Sequence, residues 1–155
     1  MKKSLSLRTV SLVLSSTALL AMTACTTPAS SPAAEKGAPS VPLEGTNWRL
    51  ASLGGQAVPM PAGVREVNLV LDAAQRRASG FAGCNQFTSG YTQSGASLRF
   101  DHPAATMMAC PSMAQEQAYL KALNATTGWR VSGDRLQLVD AQGKPQAEFV
   151  ARPGR

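Results

Sequence analysis

Between Gly80 and Tyr91 the chain reads GFAGCNQFTSGY, and from Thr106 to Pro111 it reads TMMACP. Each segment holds one cysteine, Cys84 and Cys110, and the remaining cysteine, Cys25, lies far upstream. Gly80, Gly83 and Gly90 punctuate the first segment. They are expected to interrupt regular strand pairing and to permit positive φ or close backbone approach. A disulfide between Cys84 and Cys110 would close a loop of 26 residues. On chain-entropy grounds it would contribute roughly 3–4 kcal/mol. Unpaired buried thiols, or a redox or nucleophilic pair, are the alternatives. Against the last, there is no CxxC, and the single histidine, His102, stands eight residues before Cys110.

The N-terminus bears on which alternative holds, because it sets the compartment. Residues 1–24 open with a basic MKKSLSLR, continue with an apolar run from Val10 to Leu20 diluted by serines and threonine, and end in small residues before Cys25. This is the pattern of a secretory signal, too short and too polar for a stable membrane span. Met22-Thr23-Ala24-Cys25 resembles a bacterial lipobox with methionine in the usual leucine position. Cys25 is therefore the expected lipidation site and membrane anchor. At about 0.8 kcal/mol per buried CH₂, several acyl chains hold a protein on a bilayer essentially permanently. Thr26 rather than aspartate follows, which by resemblance to enteric lipoproteins implies the outer membrane, with the domain facing the periplasm. That compartment is oxidising and favours the disulfide.

Residues 25–42 read as a tether. TTPASSPAAEKGAPSVP, from Thr26 to Pro42, has almost no bulky apolar side chain to bury. At about 3.1 Å per residue it would reach on the order of 50 Å. The formal charge of +6 is partly the leader's: without Lys2, Lys3 and Arg8, twelve basic residues face nine acidic ones. The remaining arginines are scattered rather than arrayed in a stripe with aromatics, so nucleic acid is not an expected partner.

Residues 43–152 remain for one small domain. Trp48 and Leu50 alternate with Arg49 and Ala51, and Val67, Leu69 and Leu71 alternate with Asn68 and Val70. Both read as strands. Arg77–Ala82 reads as the partner of the second, after a turn at 73–76. Leu98 and Phe100 start another strand with Arg99 outward, and Asp101-His102-Pro103 then leads into TMMACP. One helix follows Pro111, with Ser112 and Gln115 as a capping box and Met113, Glu116, Leu120 and Leu123 on one face. Three strands, at 129–131, 136–139 and 147–150, finish the chain. The expected class is α+β: a mostly antiparallel sheet curled over one main helix.

These motifs in this order resemble the META domain family, which takes in the HslJ-like heat-shock lipoproteins. The match rests on GFAGCNQFTSGY, TMMACP, Glu116 with Leu120 to Leu123, the opening LEGTNWRLASL and the closing LQLVD. Thr88–Tyr91 is one residue longer than the family spacing. The resemblance implies a monomeric envelope lipoprotein linked to stress tolerance or outer-membrane integrity. It implies contacts with an envelope protein or small ligand, no cofactor and no catalytic site.

Read for chemistry, few residues compete. Asp101-His102 beside serines is only superficially a hydrolase triad, since no G-x-S-x-G elbow exists. Met107, Met108 and Met113, with Cys110 and His102, form a soft-ligand set that makes a copper or thiol-redox protein the alternative reading; against it, methionines are common core fillers. Glu116 on an apolar helix face needs a partner such as Arg99 or backbone donors, unless it lies at the stripe's edge near the helix N-terminus, where a carboxylate is favoured anyway. Asn85 is expected to form a turn.

Overall fold

The computed structural model describes residues 40–60 and 62–152. The leader, Cys25 and the tether up to residue 39 lie outside the described residues. We number the strands β1 (Trp48–Leu53), β2 (Gln56–Ala57), β3 (Asn68–Asp72), β4 (Arg77–Phe81), β5 (Gln86–Ser94), β6 (Ser97–Ala105), β7 (Gly128–Ser132), β8 (Arg135–Val139) and β9 (Pro145–Ala151), with one helix, α1 (Met113–Ala125), between β6 and β7. The fold is mostly antiparallel sheet with a single helix of 13 residues among the described residues.

The sheet does more than curl: it closes. Strands follow in the order β2-β1-β3-β4-β5-β6-β7-β8-β9, and β9 pairs back onto β1 from Trp48↔Ala151 to Leu53↔Ala147. One edge of β1 is shared, by β3 beside Trp48 and by the short β2 beside Leu53, and β9 takes the other edge. Closure leaves the principal strands without a long free edge, which suits a chain that must not pair with its neighbours.

The interior is filled by the alternation read from sequence: Trp48, Leu50, Leu69, Leu71, Leu136, Leu138 and Phe149 are essentially inaccessible. The Trp48 indole Nε1 donates to the Leu43 carbonyl at 2.7 Å, so the anchor residue has its one polar atom satisfied. Two residues ahead of Leu43, the Val41 amide donates to the Gly133 carbonyl.

Helix α1 packs on β6, β9 and β1. Its buried face is Glu116, Tyr119, Ala122 and Leu123 rather than the expected Met113–Glu116–Leu120–Leu123 stripe; Leu120 is only partly covered. Tyr119 enters the barrel, edge-on to Phe87 at 5.6 Å between ring centroids and tilted against Phe149 at 6.1 Å. The capping box is not formed, because Ser112 makes no side-chain cap hydrogen bond. Gln115 instead lies over Gly83, its Nε2 at 3.4 Å from where a Cβ would stand.

One further expectation is corrected. Gly80 and Gly90 do not interrupt pairing; they sit inside β4 and β5, opposite Phe87 and Arg77. Their need is for room. A Cβ on Gly80 would overlap the Asn68 carbonyl, and one on Gly90 would meet the Asp101 carboxylate at 2.9 Å. Only Gly83, at φ +121°, uses backbone freedom that other residues lack. Asp101-His102-Pro103 bulges β6, with the register slipping between Thr88 and Gly90 and His102 at φ +50°. The extra residue lies in β6, on the strand opposite the long Thr88–Tyr91 spacing.

Candidate functional site

The two signature segments meet where β4 turns into β5 and the loop after β6 leads into α1. The turn is tight: the Ala82 amide donates to the Asn85 carbonyl at 2.8 Å. Cys84 and Cys110 are joined by a disulfide, their Cα atoms 5.9 Å apart. Beside it, Glu116 is only 4 % exposed. One carboxylate oxygen accepts the backbone amides of Cys84 at 3.3 Å and Asn85 at 2.6 Å, and the other accepts the Asn85 side-chain amide at 2.9 Å. The expected partner is therefore the backbone and not Arg99, which stands exposed on β6 opposite Thr92.

Asn85 is more than a turn-former. It is 1 % exposed, and its side chain uses both ends. Nδ2 donates to Glu116 and to the Met108 carbonyl at 3.0 Å. Oδ1 accepts from the Met108 amide at 2.8 Å and the Thr106 hydroxyl at 2.9 Å. A buried carboxylate is tolerated only when its lone pairs are met, and here neutral donors meet them without a counter-ion. The result is a closed polar knot tying the β4–β5 turn, the 106–110 segment and the first turn of the helix. Both carboxylate oxygens of Glu116 and both ends of the Asn85 amide have partners within it.

The soft-ligand set does not assemble. Met107 and Met108 are 98 % and 64 % exposed, so they are not core fillers, and Met113 is partly covered on the helix. His102 is at the other end of β4, in a concavity it shares with Arg76, Arg77, Ser89 and Asp101. Among the described residues no group of three His, Cys, Asp or Glu side chains is placed to hold a metal ion. The concavity does gather a histidine, a serine and a carboxylate. However, the Ser89 hydroxyl is directed at the backbone carbonyls of Gly90 at 2.7 Å and Asp101 at 3.2 Å, and no hydrogen bond among the described residues joins His102 to Ser89 or Asp101. The nucleophile, base and orienting acid of a triad are not linked.

Sequence reasoning missed a second polar cluster, in which Tyr91 is buried and its partners reach solvent. Tyr91 donates its hydroxyl to Glu44, which also lies 3.9 Å from Arg76. Burial first, then the hydrogen bond to Glu44 and its negative charge, push the Tyr91 hydroxyl up to about 12. Tyr119 is also raised well above the ordinary tyrosine value, by burial. Neither pair is spaced so that sequence would show it, since Glu44 and Tyr91 are 47 residues apart.

The META domain family matches residues 41–153. An NMR structure of a protein from Burkholderia xenovorans is similar at a TM-score of 0.56, with 31 % sequence identity, over 72 % of this chain and 85 % of that one. A second NMR structure shares the fold at a TM-score of 0.55 and 20 % identity, over 70 % of this chain and 90 % of that one. No curated protein sequence matches this chain. A family match over almost three-quarters of the chain, running from Val41 ahead of the first strand to just past the end of the last, places this protein in the META domain family.

Proposed function

We propose that this chain is a non-enzymatic envelope lipoprotein, anchored to the outer membrane through Cys25, with its META domain in the periplasm. Its contribution is to stress tolerance or envelope integrity, through contacts with a protein or a small ligand. The observation that carries the non-enzymatic part is the closed knot: Glu116 and Asn85 direct their polar atoms into the fold, and Cys84 and Cys110 bond each other. The anchor rests on the residues preceding Cys25, and the compartment on the leader and on a disulfide that needs an oxidising space to persist.

The test is genetic and biochemical. A strain lacking the gene is complemented with wild type, Cys25→Ser, His102→Ala or Ser89→Ala, then scored for uptake of a dye that intact outer membranes exclude. Labelled palmitate incorporation is measured on the same proteins. Palmitate on wild type but not on Cys25→Ser, with protection lost only in Cys25→Ser, supports the reading. Loss of protection in a folded His102→Ala or Ser89→Ala protein would point to an enzyme instead.

A further inference from the structure

A recessed cleft of about 260 Å³ opens beside the polar knot, between the segment that links β2 to β3 and the first turn of α1. Val58, Met60, Val64 and Val67 make its apolar wall, and Gly83 and Gln115 face them. The knot and disulfide hold this opposite wall, since Gly83 precedes Cys84 and the cleft-lining Ser112 follows Cys110 by two residues. Met60 and Val64 are two of the four large apolar side chains exposed on the described domain; the other two, Met107 and Met108, flank the same turn. Apolar exposure is thus concentrated at one end of the barrel. The chain enters the barrel at the other end, where Val41 meets Gly133.

The cleft also has a sign. Arg65 is its one charged lining residue, held over the Phe81 ring at 4.4 Å and in no ion pair among the described residues. A guanidinium steadied on a ring keeps N–H donors for a carboxylate or phosphate. The adjacent Glu66 is committed to Arg152 and cannot neutralise it. Arg49 lies against the same wall, Nη1 at 3.7 Å from the Met60 sulfur, and its Nε is the one buried side-chain nitrogen or oxygen left without a partner among the described residues. A buried donor without an acceptor calls for an explanation. At about 30 Å³ for each water-sized group, the cleft takes roughly nine of them, room for an eight-carbon chain with its head on the exposed Arg65.

We propose that this cleft binds a small anionic amphiphile, its apolar segment against Val58, Val64 and Val67 and its carboxylate or phosphate head on Arg65. The proposal rests on the reading of the domain as a non-catalytic binding module and names the class of its ligand. It also explains what the signature motif is for, because the knot keeps Gly83 bare and the helix end fixed, so that the cleft stays open.

The probes are octanoate and octyl phosphate, with octanol, octylammonium and acetate as comparators, titrated into the ¹⁵N-labelled full chain. Cys25→Ser is the background, so that no acyl group of the protein competes. The expected result is saturable amide shifts at Val58, Val64, Gly83 and Gln115 with both anions, and with octanol and octylammonium at least tenfold weaker. The tighter anion identifies the head group. Arg65→Gln is expected to weaken the anions about tenfold and leave octanol unchanged. Gly83→Val, which fills the cleft, strains the turn as well, so Val64→Asp is the second variant: its side chain is exposed, its fold is checked by the same spectrum, and binding is lost. Equal binding of octylammonium, shifts centred on the groove lined by Phe87 and Ala104 instead, or no saturation at all would overturn the proposal. If saturation fails while Cys25→Ser still loses envelope protection, the ligand inference falls and the anchored-module reading stands.

Discussion

Glu116 is the residue on which the signature motif depends, and its chemistry makes the cost of losing it calculable. Glu116→Ala would strand the amides of Cys84 and Asn85 and the Asn85 side chain. The expected loss is about 3 kcal/mol, the usual cost of leaving buried donors unmet. Glu116→Gln retains one acceptor oxygen but sets an NH₂ against a donor, so about 1–3 kcal/mol is expected. Urea unfolding of both variants under oxidising conditions checks the order. The two tyrosines give a test with pH. Both hydroxyls are raised in the folded protein, Tyr91 to about 12 and Tyr119 well above the ordinary tyrosine value, whereas an unfolded chain ionises near 10. Above pH ~10 the unfolded state therefore releases protons that the folded state keeps, and stability falls as pH rises through that window. Phenolate absorbance should appear late and together with unfolding. A tyrosine titrating near 10 in the folded protein would contradict the burial of both.

At the scale of elements, the strands were legible because period-two alternation survives wherever one face is buried, as in Trp48–Leu50 and Leu69–Leu71. The helix was legible as a helix, but its orientation was not. Glu116–Tyr119–Leu123 and Glu116–Leu120–Leu123 obey the same spacing of threes and fours, and leucine is the more apolar choice. What decided for Tyr119 was tertiary: an aromatic slot between Phe87 and Phe149 and an acceptor for its hydroxyl, the Asn68 carbonyl at 3.3 Å. Tyr119→Ala should accordingly cost about 3–5 kcal/mol, as other buried aromatic truncations do, against about 1 kcal/mol for the partly covered Leu120→Ala. Thermal or urea unfolding of the pair tells which face is inside. Of the candidate site, the disulfide and the buried acid were within reach of sequence. Asn85 was not, because nothing local distinguishes an asparagine that closes a turn from one that satisfies two chain segments at once. The glycines misled only about pairing: close approach at Gly80 and positive φ at Gly83 were both expected, but only the neighbour across the sheet, Asn68 for Gly80, tells the two needs apart.

Across the whole molecule, closure is the property least visible in the residues, since β1 and β9 lie at opposite ends of the domain and pair through about a hundred intervening positions. It has a mechanical consequence. The ladder is unequal around the barrel: β1 and β9 share five residue pairs and β8 and β9 another five, but β6 meets β7 only at Ser97↔Gly128. Helix α1 packs beside this seam, on β6, and the knot fixes its first turn. Opening by small fluctuations should therefore start between β6 and β7, while β8, β9 and β1 open only with global unfolding. Native-state hydrogen exchange should find the slowest amides at Leu50, Leu138 and Phe149, and faster ones in β7. Reducing the Cys84–Cys110 bond should act unevenly. It should lower global stability by roughly 3 kcal/mol and raise exchange first in α1 and in β6, on which the helix packs, because that bond anchors the end of the helix and no part of β8 or β9. A uniform rise across all strands would mean that the disulfide acts only on the unfolded chain. A rise confined to the helix and β6 would show that it also holds the helix onto one side of that seam.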